Sequence, residues 1–298
     1  MKSVIKSSLP FFLFVLSCTV WAGIFFILPY FLDNPSKGWE GRFITFFHWG
    51  LECFATFLLI YALAVNKFVF AVFFPLFSLL GSILSFYRYA FKAVLTPMLI
   101  DASLHNDLRT TLDVVSIPLV IFVIISVSIS ILAVVYRFKK IKVTKPLIHF
   151  AVSVLLLCIL LTANGRVTNS LMQRFPFNVY YNFSEYKKLR QTLVAERIDP
   201  DPALKATCSD SMKVVIVIGE ALRADHLSLN GYHRLTNPRL SKRENIFSFS
   251  NIYSEFTNTN MSLPQILTRA DSIHPERAFQ EKSFISLFKK CGYYTSWI

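Results

Sequence analysis

The chain has 298 residues, a mean hydropathy of +0.48 and a formal net charge of +13, and 54% of its residues are hydrophobic. This composition is typical of an integral membrane protein. The positive charge does not indicate nucleic-acid binding, because the basic residues cluster beside apolar runs, where anionic headgroups explain them. No basic patch with interleaved aromatic residues resembles a nucleic-acid-binding module, so that class is excluded.

Five apolar runs are long enough to cross a bilayer as helices. Lys2 and Lys6 precede the first run, as in a signal peptide, but the run is too long and has no clear small-residue cleavage site, so we expect an uncleaved helix. The runs therefore predict a five-helix transmembrane domain over residues 1–165. They cover residues 10–32, 43–65, 68–86, 116–136 and 146–163.

The basic residues predict the orientation of these helices. The N-terminal lysines, Lys67 and the segment 137–145, which has five basic residues in nine, fall on one side of the membrane. The positive-inside rule makes that side the cytoplasm. An odd number of spans then places the N terminus in the cytoplasm and everything after about residue 164 outside it.

Three further features of the sequence each allow two interpretations. His48 and Glu52 lie four residues apart on one helical face, either as a functional pair or bonded to each other or to headgroups. The linker, residues 166–205, contains a segment that suits an amphipathic helix in the headgroup region or an ordinary packed helix. Cys208 and Cys291 either form a disulfide outside the cytoplasm or are unrelated thiols.

The last part of the chain, residues 206–298, contains two segments suited to chemistry. Residues 214–218 form an unbroken apolar, mostly β-branched run, which predicts a strand buried on both faces of a parallel sheet. Glu220 follows that strand, at the edge where open α/β sheets place their chemistry. Thr257 and Thr259 precede an apolar run, so either could stand at a helix N-terminus that favours phosphate, or could simply cap the helix.

These segments match a known family in sequence and spacing. The chain resembles the membrane phosphoethanolamine transferases that modify lipid A and related glycans, including the mobile colistin-resistance (polymyxin-resistance) enzymes, within the alkaline phosphatase and sulfatase superfamily. The resemblance implies a five-helix transmembrane domain followed by a partial α/β, alkaline-phosphatase/sulfatase-like domain in the periplasm of a bacterial inner membrane. The matching residues are Val217-Ile-Gly-Glu220, Arg223-Ala-Asp-His226, Ser228-Leu-Asn-Gly-Tyr232, Arg234, Thr236-Asn-Pro238, Phe249-Ser-Asn251, Thr259 and Ser262-Leu-Pro264.

The resemblance also implies roles for three residues. Glu220 and Thr259 would be Zn²⁺ ligands, Thr259 would be the nucleophile, and Thr257 would help to hold the substrate. The implied reaction takes phosphoethanolamine from phosphatidylethanolamine, through a threonine-bound intermediate, to lipid A or another envelope glycan. Coordination to Zn²⁺ would lower the pKa of the threonine hydroxyl and so activate it.

Two departures from the family limit what the resemblance implies. Glu255-Phe256 stands where lipid A enzymes usually carry Cys-Gly, which leaves the acceptor open. The remaining zinc ligands of the family, in a Ser-Asp-His-Gly-Glu stretch, do not occur, so we expect a truncated chain with little activity, since a catalytic zinc normally needs three protein ligands. The alternatives are a phosphoglycerol transferase of the same superfamily and a non-catalytic membrane relative. The oligomeric state and the zinc occupancy are left open.

Overall fold

The computed structural model describes residues 2–298 apart from 33–37, 106–111, 163–164, 195, 201–211, 220–221, 250–251, 255 and 257–258. The chain divides into two compact units, Met1–Arg190 and Gln191–Ile298. The described residues of the first unit are almost entirely helical, and those of the second form short helices and loops.

Long helices build the first unit, as expected for apolar runs whose backbone groups must bond within the segment when the surroundings offer no water. The first of them, α1, continues into a π-helix and a 3₁₀ turn. The elements are α1 (Lys2–Ala22), the π-helix (Gly23–Ile27), the 3₁₀ turn (Leu28–Tyr30), α2 (Gly38–Val65), α3 (Lys67–Phe91), α4 (Pro97–His105), α5 (Ile117–Lys140), α6 (Pro146–Thr162), α7 (Gly165–Met172) and α8 (Phe177–Val194).

Four of these helical stretches are long and apolar enough to cross a membrane: Leu9–Tyr30, Gly38–Val65, Lys67–Phe91 and Ile117–Lys140. The bent pair α6 and α7 makes a fifth if it counts as one span. The prediction of a multi-pass membrane protein is confirmed, with four to five apolar helices, whereas the exact count of five stays a prediction.

A row of phenylalanines forms the centre of the first unit. Phe74 and Phe77 stack with nearly parallel rings, and Phe77 lies 4.8 Å from Phe175, between ring centroids. Phe26, in the π-helix, meets both Phe77 and Phe175 at 6.0 Å. A Cβ at Gly81 would lie 2.7 Å from the Phe26 ring and 3.0 Å from Phe175, so only glycine permits this approach. The row therefore joins α1, α3 and the start of α8.

Arg137 ties together two helix ends, those of α2 and α5, on the basic side of the unit. Its guanidinium donates to the carbonyl oxygens of Ala64 at 2.8 Å, Val65 at 3.0 Å and Ile141 at 2.8 Å. The carbonyls of Ala64 and Val65 lie in the last turn of α2, where no intrahelical donor remains. Asn66 caps the next helix, accepting from the amide of Phe68 at 2.9 Å. The sharp turn between α2 and α3 is thus held by a buried arginine and a cap.

The described residues of the second unit contain short helices and no strand. A single parallel bridge joins Ile198 to Glu281, with Ile198 donating to the carbonyl of Gln280 at 2.7 Å and accepting from the amide of Lys282 at 2.8 Å. The elements are the 3₁₀ turns Ala224–His226 and Ser228–Asn230, and the helices α9 (Pro238–Ser241), α10 (Thr259–Leu267), α11 (Arg277–Gln280) and α12 (Phe284–Lys290).

The predicted buried strand over residues 214–218 is not confirmed. The segment has no paired neighbour among the described residues, and its side chains are 38% to 89% exposed. Exposure nevertheless alternates, with Val215 and Val217 at 84% and 89% and the residues between and beside them at 38% to 53%. This period of two is typical of an extended segment. A strand becomes buried only when other strands and helices cover it, and the described residues supply no such cover.

Candidate functional site

Thr259, the predicted nucleophile, is the first residue of α10, and its side chain is exposed. The first backbone amides of a helix have no intrahelical acceptor, and together with the helix dipole they favour an anion such as a phosphate. Glu220 and Thr257, the predicted zinc ligand and substrate-binding residue, lie outside the described residues. The position of Thr259 therefore suits attack on a phosphate group, whereas the complete predicted site stays a prediction.

Two serines fix the chain on either side of Thr259. The hydroxyls of Ser254 and Ser262 both donate to the carbonyl oxygen of Phe256, at 2.7 Å and 2.9 Å, and lie 3.0 Å from each other. Ser254 precedes α10 and Ser262 lies in its first turn. The hydroxyl-rich composition that marked this segment in the sequence therefore has a structural role, because two of its serines bind the same carbonyl just before and within the first turn of α10.

The chain also folds closely on either side of Glu220. A Cβ at Gly219 would lie 2.9 Å from Cδ2 of Leu222, because the Leu222 side chain packs back against this glycine. The Gly-Glu sequence of the motif is thereby explained in part: the glycine permits close contact between the residues that flank the carboxylate.

Residues 224–237 form a loop that is closed by hydrogen bonds between residues that carried the family resemblance. The Asn237 side-chain oxygen accepts from the Ser228 hydroxyl at 2.5 Å and from the amide of Leu229 at 3.3 Å. The Thr236 hydroxyl donates to the carbonyl of His226 at 2.7 Å and accepts from the amide of Ser228 at 3.0 Å. The Thr-Asn-Pro motif thus fastens one side of this loop to the other.

The Asn-Gly-Tyr motif closes the same loop at its turn. Asn230 donates to the carbonyl of Ala224 at 2.9 Å and accepts from the Ser248 hydroxyl at 2.5 Å. Gly231 has φ +93°, a conformation that side chains rarely adopt. Tyr232 then lies against His226, with ring centroids 4.7 Å apart. These motif residues shape the backbone, a role that the sequence match alone did not reveal.

Arg223, Asp225 and His226 form an exposed charge cluster in this loop. Arg223 donates to both oxygens of Asp225, at 3.0 Å and 2.5 Å, and Nδ1 of His226 lies 3.1 Å from the same carboxylate. The hydrogen bonds from Arg223 and then His226 lower the pKa of Asp225 to about 2. Asp225 is therefore ionised at neutral pH and is engaged by its own neighbours.

No sequence motif predicted the ion pair between Arg269 and Glu281. Arg269 donates to both carboxylate oxygens, at 3.1 Å and 2.8 Å, and also to the carbonyl of Pro200 at 2.8 Å. Glu281 is buried, and the bonds from Arg269 lower its pKa. A second pair joins Lys290 to Asp199. Both pairs hold the end of the linker against the last helices. The paired residues lie far apart in the sequence, so no local motif indicated them.

The two ionisable residues singled out in α2 separate in the structure. His48 lies 3.3 Å from the hydroxyl of Ser170, between Nδ1 and Oγ. Glu52 is 1% exposed, and neither of its oxygens has a hydrogen-bond partner within the described part of the chain, so the two residues do not bond each other. Arg174 donates to the carbonyl of Ser170 at 2.7 Å. The contact between His48 and Ser170 thus joins α2 to α7.

The side chains of the described residues do not by themselves form a metal centre. Within the described residues there is no group of three or more His, Cys, Asp or Glu side chains that could hold a metal ion. The predicted pair, one carboxylate and one hydroxyl, has the oxygen chemistry that zinc accepts but is smaller than the three protein ligands of catalytic zinc sites. The residues present therefore fit part of a zinc site and do not complete one.

Comparisons with known proteins agree with the motifs. Residues 213–298 match the Sulfatase family. The phosphatidylethanolamine transferase Mcr-1 of Escherichia coli is 36% identical over 100 residues, which cover 32% of this chain and 18% of that protein. The Kdo(2)-lipid A phosphoethanolamine 7''-transferase of Escherichia coli K12 is 34% identical over 86 residues, or 28% of this chain and 15% of that protein.

The fold extends the likeness to the membrane helices. The solved structure of the integral membrane lipooligosaccharide phosphoethanolamine transferase A (EptA) from Neisseria meningitidis matches with a TM-score of 0.69 and 18% identity, over 94% of this chain and 56% of that one. The chain thus spans less than two thirds of each of these relatives. The resemblance drawn from the motifs is confirmed: this is a multi-pass membrane chain with a sulfatase-family segment, similar to the phosphoethanolamine transferases.

Proposed function

We propose that the protein transfers phosphoethanolamine from phosphatidylethanolamine to lipid A or another envelope glycan. The observation that carries the proposal is the sulfatase-family segment, residues 213–298, following membrane helices in a chain similar to enzymes named for this transfer. The placement of Thr259 at the start of α10 supports it, because a transferred phosphoryl group needs donors for its negative oxygens next to the nucleophile.

The proposed chemistry has two balanced steps. The Thr259 oxygen attacks phosphorus as its proton leaves, and the bond from phosphorus to the glycerol oxygen breaks, so diacylglycerol departs with a proton. An acceptor hydroxyl or phosphate then attacks the phosphoethanolamine-threonine intermediate and regenerates the Thr259 hydroxyl. Thr257 is proposed to help to hold the phosphate through its hydroxyl, and the amides of α10 to face the phosphate oxygens.

We assign Glu220 and Thr259 as two ligands of a zinc ion, with further ligands outside this pair. A zinc ion supplies one thing to this chemistry: it lowers the pKa of a bound hydroxyl. The full natural protein is therefore expected to contain about one zinc per chain, since catalytic sites of this kind hold one or two ions. Elemental analysis of the purified protein checks this, with Glu220→Gln as the variant and Glu244→Gln as the matched control. Equal zinc content in the two variants would remove Glu220 from the site.

Replacing the nucleophile tests the function itself. Thr259→Ala in the full natural protein is expected to abolish transfer from labelled phosphatidylethanolamine, because no other group can form the covalent intermediate. Thr268→Ala, which makes the same change just beyond the other end of α10, is the control and should retain activity. The measurement is the release of labelled diacylglycerol. Undiminished release by Thr259→Ala sinks the assignment, and a preference for phosphatidylglycerol as donor establishes the phosphoglycerol alternative instead.

We also propose the inner membrane of a bacterial envelope as the location, with the N terminus in the cytoplasm and residues 191–298 in the periplasm. The support is the basic segment 137–145, which includes four exposed or half-exposed lysines besides the buried Arg137. This orientation places Thr259 on the side of the membrane that carries the proposed acceptor.

A further inference from the structure

A groove with a volume of about 680 Å³ lies among α1, α3 and α5 of the membrane unit. Its volume falls within the range of about 300–1,000 Å³ that ligand sites occupy in proteins. It belongs neither to the sulfatase-family segment nor to the proposed reaction. Its wall includes Leu9, Leu13 and Trp21 from α1, Phe74 from α3, and Ile129 and Tyr136 from α5.

The wall of the groove presents hydrocarbon along most of its length. Ser17 is a hydroxyl residue in the α1 wall, and it donates to the carbonyl of Leu13 at 2.9 Å, so its polar group is satisfied within its own helix. All three helices belong to apolar spans. Inside a bilayer such a groove is lined mostly by apolar groups, so an apolar chain suits it, although the indole N–H of Trp21 is buried without a hydrogen-bond partner within the described part of the chain.

The length of the groove matches one leaflet. From Leu9 to Trp21 the α1 wall covers twelve residue steps, which correspond to roughly 18 Å at about 1.5 Å per residue. Half of the hydrocarbon core of a bilayer is about 15 Å thick. An acyl chain that enters at the Leu9 end and runs along α1 would therefore reach the other end of the groove at the depth where its own leaflet ends.

Two exposed lysines, Lys139 and Lys140, lie at one end of the groove. Ile129, Tyr136 and their neighbours line it at helical spacing along α5, and Lys139 and Lys140 lie three and four residues beyond Tyr136, on the same face and exposed. The nearby Arg137 is occupied by three carbonyl oxygens. The two lysines are thus placed to meet a headgroup above the groove.

We propose that this groove binds one anionic glycerophospholipid, with an acyl chain along α1 and α5 and its phosphate at Lys139 and Lys140. Each lysine near a membrane surface contributes attraction to anionic lipid that corresponds to about fivefold in affinity. A zwitterionic lipid fills the same groove but gains little from the lysines, so the headgroup charge distinguishes the proposed ligand.

Titration of the purified full chain in detergent, followed by native mass spectrometry, tests the site. The probes are phosphatidylglycerol and phosphatidylcholine with identical acyl chains. We expect one high-affinity phosphatidylglycerol per chain and a preference over phosphatidylcholine of about 30-fold, from two lysines. Lys139→Gln combined with Lys140→Gln should abolish the preference. The control pair, Lys142→Gln with Lys145→Gln, removes the same charge beyond the end of α5 and should leave the preference unchanged.

A second variant tests the groove separately from the charge. Ser17→Phe places a ring in the groove from an exposed position and should weaken both lipids, whereas Ala151→Phe, on an exposed position of α6, should weaken neither. Thermal unfolding confirms that each variant is folded. Equal binding of the two lipids by the unaltered protein, a preference that survives loss of Lys139 and Lys140, or unchanged binding by Ser17→Phe would each overturn the proposal.

Discussion

Asp225 is an exposed carboxylate whose pKa is held at about 2 by Arg223 and His226. An unfolded aspartate has a pKa of about 3.9, so the folded value is depressed. The stabilisation is therefore present above about pH 3.9 and is lost as the pH falls towards 2. Arg223→Gln is expected to raise the pKa of Asp225 towards its ordinary value, because the two hydrogen bonds from the guanidinium are removed. A carbon-13 NMR titration of the aspartate carboxyl groups measures the shift.

The control for this prediction is Arg234→Gln, which removes another arginine of the same motif region without removing the donor to Asp225. It should leave the titration midpoint of Asp225 in place. A midpoint that is equally low in both variants would show that His226 and the backbone, and not Arg223, hold the carboxylate ionised.

The sequence identified the motif residues of this region but not the structural role of most of them. Thr236 and Asn237 matched the family, but the sequence did not show that they close a loop. They do so through hydrogen bonds to His226, Ser228 and Leu229, which are seen only in the folded chain. Thr259 was different, since a threonine just before an apolar run already predicts a helix start. Of the two threonines that could stand at a helix N-terminus, Thr259 is the first residue of α10, and Thr257 lies outside the described residues.

Arg137 shows how a helix end can depend on one side chain from another helix. Its planar guanidinium reaches carbonyls of Ala64, Val65 and Ile141 together. A lysine carries one ammonium group and cannot span the three acceptors, so Arg137→Lys leaves buried carbonyls without donors. We expect a loss of about 1–3 kcal/mol in the free energy of unfolding, the usual penalty for a buried unsatisfied group. Thermal or denaturant unfolding in detergent measures it.

Lys140→Arg is the matched control for Arg137→Lys, because it exchanges the same two side chains at an exposed position of the same helix. It should change the stability little. If both variants unfold alike, the three hydrogen bonds do not support the turn between α2 and α3.

Helices and strands differed in how well the sequence predicted them, for a physical reason. Each long apolar run satisfies its backbone within itself, so 43–65 and 116–136 predicted helices without knowledge of any partner. A strand needs neighbours, and residues 214–218 have none among the described residues. The continuation of α1 into a π-helix at Gly23 was also missed; in the folded chain the indole of Trp49 donates to the Gly23 carbonyl at 3.2 Å.

The whole chain combines two kinds of information about function. The membrane unit was predicted from hydropathy alone, and the fold comparison, which covers 94% of the chain, agrees with it. The sulfatase-family segment was predicted from motifs of a few residues each, separated by about forty positions between Glu220 and Thr259. Neither part by itself indicates transfer from a membrane lipid. Their presence in one chain supports the proposed transfer, because the anchor would tether the proposed nucleophile to the bilayer that carries the proposed donor.

The proposed transfer requires residues 191–298 and the basic segment 137–145 to lie on opposite sides of the membrane, which the predicted five spans would provide. Single cysteines introduced at Lys145 and Lys242, in a chain without its natural cysteines, test this by labelling with a membrane-impermeant maleimide. Both positions are exposed. In intact spheroplasts we expect Lys242→Cys to react and Lys145→Cys to react only after lysis, since the lysines hold their segment in the cytoplasm. Equal labelling of both after lysis is the control. Labelling of Lys145→Cys in intact spheroplasts, or protection of Lys242→Cys, would place Thr259 away from the proposed acceptor and contradict the orientation on which the transfer depends.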